Sequence, residues 1–149
     1  MAEERMTFQQ VLQQSKDYEL AANEISRFHN NNFQTLTPAQ HRNLDEKEAD
    51  LRSISRRLLN DASQIVWDDL QPTLQAIRNA TDKMRRIRLH LKNVQRTLTF
   101  ATAAISLGTS ILSGNPVAIG TASLAIVNTI NKFRDEDDEE ARAEDEAVG

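Results

Sequence analysis

The chain contains no cysteine. Disulfide stapling, thiol catalysis and cysteine-based zinc sites are therefore excluded. Breakers are almost as scarce: three prolines and four glycines in 149 residues. Gly108, Gly114 and Gly120 cluster in one segment, and the fourth is Gly149. Long stretches without a breaker predict an all-α chain. The opening MAEERMTFQQ carries acids and no apolar run. It does not read as a secretory signal, which sets cytoplasmic synthesis as the expectation.

The motifs of catalysis are missing too. There is no G-x-x-x-x-G-K-S/T, G-x-G-x-x-G or G-x-S-x-G run, so phosphate-cradling loops and hydrolase elbows are not encoded. His29, His41 and His90 are scattered. His41 and Asp45 share a helix face at i, i+4 but lack the second histidine of H-E-x-x-H, and a plain surface pair is the better reading. Asn79-Ala80-Thr81 matches a glycosylation sequon but falls inside a helical pattern. No enzyme, cofactor or metal is expected.

Charge of either sign is absent from residues 97–131, a run of 35. Around it the charge is polarised. Residues 135–146 carry nine acids and one arginine, net −8, so the rest of a chain of net −4 is +4. Between Lys83 and Arg96 lie six cations and no acid. This basic stripe lacks the interleaved aromatics that stack on nucleic-acid bases and any recognised reading motif, which weighs against a nucleic-acid partner.

Apolar spacing supplies the helices. Phe8, Val11, Leu12, Tyr18, Ala22, Ile25 and Phe28 form one stripe over about 4–29, ended by Asn30, Asn31 and Asn32. Thr37-Pro38 opens a second helix, about 38–71, with a threonine cap and proline at the first position. Leu44, Leu51, Leu58 and Ile65 mark its face, Trp67 reads as a core or edge residue, and Pro72 ends it. Ile77, Met84, Leu91, Leu98, Ile105 and Leu112 then repeat every seven residues. Ala80, Ile87, Val94, Ala101 and Gly108 occupy the companion positions. This predicts one helix over 73–113, about 60 Å long at about 1.5 Å per residue, and hence an elongated bundle of coiled-coil-like helices. Gly114, Asn115 and Pro116 form a turn, and a last helix over 116–133 completes a C-terminal apolar hairpin. Residues 1–134 thus read as one helical domain and 135–149 as an acidic, disordered tail.

Within the hairpin the heptad continues, but the residues outside it change from Lys83, Arg85, Arg86, Arg88, His90, Lys92 and Arg96 to uncharged ones. A helix apolar all round is buried all round, so residues 97–131 are expected to be an interface. The segment TFATAAISLGTSILSGNPVAIGTASLAIV, following a long amphipathic helix, resembles the membrane-insertion hairpins of α-helical pore-forming proteins. Its texture is similar to that of the apolipoprotein L hairpin. The resemblance spans roughly 83–133 and is one of organisation and composition. It implies conditional entry into, or permeabilisation of, a membrane, as a homo-oligomer or with a helical protein partner.

On that reading Phe100, Ile105, Leu107, Ile111, Leu112, Val117, Ile119, Leu124, Ile126 and Val127 contact the membrane interior. Arg85, Arg86, Arg88, Lys92, Arg96, Lys132 and Arg134 meet anionic lipid headgroups. Gly108, Gly114, Asn115, Pro116 and Gly120 supply the turn and close arm packing. The acidic tail is a candidate clamp on the basic stripe, against the plainer reading of a solubility tail. The alternative for the whole chain is a soluble helical scaffold or adaptor whose hairpin is a bundle core or an oligomer interface.

Overall fold

The computed structural model describes residues 8–60 and 73–148. The expected helix start near Glu4, the continuation of the second helix through Ile65 and Trp67, and the break at Pro72 lie outside those residues. Five α-helices are present and no strand among the described residues: α1 (Phe8–Asn31), α2 (Pro38–Asn60), α3 (Leu74–Met84), α4 (Val94–Ser113) and α5 (Pro116–Val148). Neighbouring helices pack in the order α1, α2, α4, α5, α3, with α3 returning to α1. The five helices thus close into a bundle.

The chain ends of these helices follow from local chemistry. At the end of α1, Asn32 donates from both its backbone and its side-chain nitrogen to the Phe28 carbonyl. The start of α2 is a capping box: the backbone N–H of Gln40 donates to Thr37 Oγ1, and that of Thr37 donates to Gln40 Oε1. Two otherwise orphaned donors are satisfied reciprocally. Gly114 ends α4 at φ 72°, in the left-handed region that a side chain resists. Asn115 Oδ1 then accepts from the backbone of Val117 and Ala118, with Pro116 opening α5.

The core is apolar and central. Tyr18, Ile25, Leu44, Leu51, Leu58, Ile77, Ile87, Phe100, Leu107, Ile111 and Ile119 are its largest fully buried side chains. A serine clasp fixes α1 on α2: Ser15 Oγ donates to the Ser55 carbonyl at 2.8 Å, and Ser55 Oγ donates to the Ser15 carbonyl at 2.7 Å. Both serines are buried, and each hydroxyl is satisfied.

Two expectations are corrected. The single helix over 73–113 is instead α3 and α4, separated by a 3₁₀ turn at Ile87–Leu89 and by Asn93 in extended backbone. Asn93 caps α4, its Oδ1 accepting from the Arg96 backbone at 2.8 Å. The heptad survived this break because seven-residue spacing records only which positions are apolar. It does not record whether the helix between them is continuous. Helices α1 and α2, of 24 and 23 residues, reach about 35 Å, so a helix of about 60 Å would leave much of its apolar stripe uncovered. Folding back covers it.

The second correction concerns the tail. Helix α5 runs on through the acidic run to Val148, where disorder was expected over 135–149. Residues 138–147 bury nothing, as their composition implies, since all are exposed. Two things nevertheless sustain a helix there. Residues 135–148 contain no Gly or Pro and several alanines, and ion pairs hold their first turns to the bundle.

Candidate functional site

The uncharged hairpin is α4 and the first half of α5. Of the ten residues assigned to membrane contact, Phe100, Leu107, Ile111, Ile119 and Ile126 are wholly buried in the bundle core. Ile105, Leu112 and Val127 are half-buried against it. Only Val117 and Leu124 are exposed, at 79% and 60%. The expectation that α4 is apolar on every side is also corrected. Its outer face is Thr99, Thr102, Ser106, Thr109 and Ser113, all exposed. These hydroxyls stand three and four residues apart, a solvated stripe that a search for charge overlooks. Ser110 and Ser113 donate back to carbonyls at Ser106 and Ser110, which spares the helix an unmet polar group.

Of the three hairpin glycines, Gly108 admits the closest approach. A Cβ there would lie 2.6 Å from Ile54 Cγ2 and 3.1 Å from Tyr18 Cε1. Gly114 makes the turn. Gly120 meets nothing within 4 Å and packs no neighbouring arm, contrary to the packing role expected of it.

The basic stripe divides into paired and unpaired cations. Arg85 forks onto Asp17, Nε to Oδ1 at 2.8 Å and Nη2 to Oδ2 at 3.0 Å, and its Nη1 reaches Asp82 at 2.7 Å. Arg96 is 9% exposed. It donates to Asp137 at 2.8 Å and Glu136 at 2.9 Å, and its guanidinium lies 5.0 Å from the centre of the Phe133 ring. Lys92 bridges Asp137 at 3.1 Å and Glu140 at 3.8 Å, and His90 Nδ1 stands 2.6 Å from Asp137 Oδ2. These contacts form a lock between the α3–α4 connection and the acidic part of α5. Burial works against the Asp137 charge, but hydrogen bonds from His90, Arg96 and Lys92 outweigh it and hold the carboxyl down at about 2. Arg86, Arg88 and Lys132 are exposed without an ion pair among the described residues, and Arg134 lies beside its neighbour Asp135.

A groove of about 700 Å³ runs between α3 and α5. Ala76, Asn79, Asp82, Lys83 and Arg86 line one wall, and Gly120, Ser123, Leu124, Val127 and Asn131 the other. Ser123 is 1% exposed, yet its Oγ has no hydrogen-bond partner, and neither has Asn131 Oδ1. Sequence reasoning missed both, because each is one more uncharged polar residue in a run full of them. It also missed Asp17, although a carboxylate on the apolar stripe of α1 beside Tyr18 signals a buried partner.

Away from the groove, His29 Nε2 and His41 Nδ1 share a hydrogen bond of 2.6 Å, and Phe33 packs on both rings. Asp45 stands 3.4 Å from His29 Nδ1, so it faces His29 and not the His41 of its own helix. No group of three metal-ligating side chains occurs among the described residues, and none of their helices is long and apolar enough to cross a membrane. In comparisons with protein-family models, curated proteins and solved structures, nothing matches this chain.

Proposed function

We propose that the chain is a non-catalytic helical interaction module, a scaffold or adaptor whose C-terminal hairpin is the core of its own bundle. The supporting observation is that Phe100, Leu107, Ile111, Ile119 and Ile126 have no exposed surface. The hairpin has found its apolar surroundings within the chain. On this reading binding falls to the faces left open, chiefly the groove between α3 and α5.

The test is Leu107→Arg. Burying an unpaired guanidinium costs several kcal/mol. The module reading expects loss of the cooperative thermal transition followed by circular dichroism. Retention of that transition argues that Leu107 is not core.

A second reading is conditional membrane insertion, with permeabilisation by an oligomer. It is favoured by one observation: no charge appears between residues 97 and 131 even on the exposed faces of α4 and α5. Opening the bundle would then present a charge-free hairpin, with the lock around Asp137 holding it shut. Flotation and dye release with anionic and zwitterionic vesicles, at low and high salt, test this reading. Removal of residues 135–149 should raise binding to anionic vesicles. Absence of binding by both the full and the shortened chain argues against it.

A further inference from the structure

The groove between α3 and α5 combines three features found together nowhere else among the described residues. The first is a pair of cations without counter-ions. Arg85, Lys92 and Arg96 are each held by carboxylates, whereas Lys83 and Arg86 on the groove wall have no ion pair among the described residues. The acid that shares this wall, Asp82, is taken up by Arg85.

The second feature is unmet hydrogen bonding. A serine inside a helix ordinarily donates to the carbonyl four residues earlier, as Ser110 does. Ser123 is buried and its Oγ bonds to nothing, and Asn131 Oδ1 on the same wall is likewise unpartnered. Buried polar atoms left unpaired by the chain are costly to a fold and are ordinarily met by an ordered water or another partner.

The third feature is open apolar surface. Leu124 stays 60% exposed, and a Cβ at the bare Gly120 would meet nothing within 4 Å beyond its own stretch of helix. From Gly120 to Asn131 the strip is about 16 Å long by the helical rise. The groove volume of about 700 Å³ falls within the roughly 300–1,000 Å³ of small-ligand sites.

We propose that this groove binds an anionic amphiphile: a carboxylate or phosphate monoester on an apolar body. The anion sits on Lys83 and Arg86, and the apolar body covers Leu124 and fills the space at Gly120. Neither cation suffices alone, because an exposed lysine or arginine is ordinarily just hydrated. The apolar strip beside them makes the groove selective for a molecule with both characters. The inference rests on the closed bundle proposed above, since the groove exists only while α5 packs against α3.

The experiment is isothermal titration of the full chain with dodecanoate and with dodecyl phosphate, both below their micellar concentrations. Dodecyl maltoside is the neutral control and phosphatidylglycerol vesicles are the lipid-surface arm. Two variants accompany it. Gly120→Leu fills the groove from a helical position that has room for a side chain, and should leave the fold intact. Lys83→Gln with Arg86→Gln removes the charge. The expected result is saturable binding of both anions at one site per chain. Binding should be about tenfold weaker in either variant, as loss of charge-assisted or filling contacts implies, and the maltoside should bind poorly. Binding that Gly120→Leu leaves unchanged overturns the proposal. So does binding to vesicles but not to the monomeric anions, which would assign Lys83 and Arg86 to a lipid surface. A cooperative melting transition in the same sample, with no amphiphile bound, overturns the ligand while leaving the closed bundle standing. Absence of that transition overturns both.

Discussion

The Tyr18 hydroxyl donates to the carbonyl of Ala104 at 2.8 Å, joining helices 86 residues apart in the chain. Tyr18 is fully buried, and its ring edge lies 3.1 Å from where Gly108 would carry a Cβ. Ile54 of α2 closes on the same spot. Three helices therefore meet at one place, and there the C-terminal hairpin is keyed to the N-terminal pair. Ala104 is mid-helix, so its carbonyl also serves the α4 ladder, and the tyrosine takes its second lone pair.

Removing that hydroxyl gives the first prediction. Tyr18→Phe keeps the ring and loses one buried hydrogen bond, at a cost of about 1 kcal/mol, measured by chemical denaturation. The pH dependence follows from the same burial. Desolvation, with the Asp17 charge behind it, raises the phenol far above its ordinary range. The folded state thus keeps Tyr18 neutral, and this stability is complete below the unfolded value of about 10 and is lost as pH rises beyond it. Wild type should lose stability above about pH 10, and Tyr18→Phe should lose less over the same window. Tyr18 is the only tyrosine, so phenolate absorbance should appear only with unfolding. Ionisation in the folded chain would contradict the burial argument.

The glycines at 108 and 120 supply opposite expectations for one substitution. Alanine gains up to about 1 kcal/mol of helix propensity at each. At Gly108 the new methyl would press on Ile54 Cγ2 at 2.6 Å. That branch methyl has no soft torsion by which to withdraw, and overpacking costs about 1–3 kcal/mol. Gly108→Ala should therefore destabilise. Gly120→Ala meets nothing and should raise the melting temperature by a few degrees. Equal shifts of one sign would refute the placement of α4 against α2.

Much of this fold was legible in the sequence, and the limits have physical causes. The all-α class, the Thr37-Pro38 start and the Gly114 turn were readable because each rests on local chemistry, whereas Gly108, expected to pack the hairpin arms together, packs instead on Ile54 and Tyr18 of the N-terminal pair. The faces of α1 and α2 were readable because one stripe on each is apolar. The break between α3 and α4 was hidden by a heptad that ran through it, and its one local signal was Asn93, three residues before Arg96 in an N-capping position. The outer face of α4 was misread because hydroxyls were counted as merely uncharged. The Asp17–Arg85 fork spans 68 residues, and while the place of Asp17 signals a buried partner, no local pattern says which cation it is. The groove depends on which wall faces which, so its residues were visible in the sequence only as separate members of two helices.

The Asp17–Arg85 fork carries the next prediction. The Asp17 side chain is 1% exposed and that of Arg85 40%, so removing the arginine strands a buried carboxylate. Arg85→Ala should cost about 1–3 kcal/mol, less than for a wholly buried pair, because Arg85 is partly solvated and Gln13 Nε2 still donates to Asp17 at 3.1 Å. Asp17→Asn combined with Arg85→Ala should recover part of that loss, since no charge is then left unpaired. Full additivity of the two changes in a double-mutant cycle would show that the fork contributes nothing.

The lock around Asp137 gives the last prediction and connects stability to both functional readings. Asp137 takes hydrogen bonds from His90, Lys92 and Arg96, and its side chain is 14% exposed. Asp137→Asn keeps the shape and removes the charge. It should cost about 1.5–3 kcal/mol near neutral pH, the range for hydrogen bonds to a charged group. Because the folded carboxyl is held down at about 2, the stability it supplies is present above the unfolded value of about 3.9. It is lost as pH falls toward 2. The stability gap between wild type and Asp137→Asn should therefore be widest above about pH 5 and close below it. A gap that stays constant with pH would mean that the charge is not what holds α5. The same variant separates the two readings. It takes one of two carboxylate partners from each of Lys92 and Arg96 and loosens the hold on α5, so conditional insertion predicts tighter binding to anionic vesicles, reversed by salt. The interaction-module reading predicts a change in stability alone, with the groove between α3 and α5 unaffected.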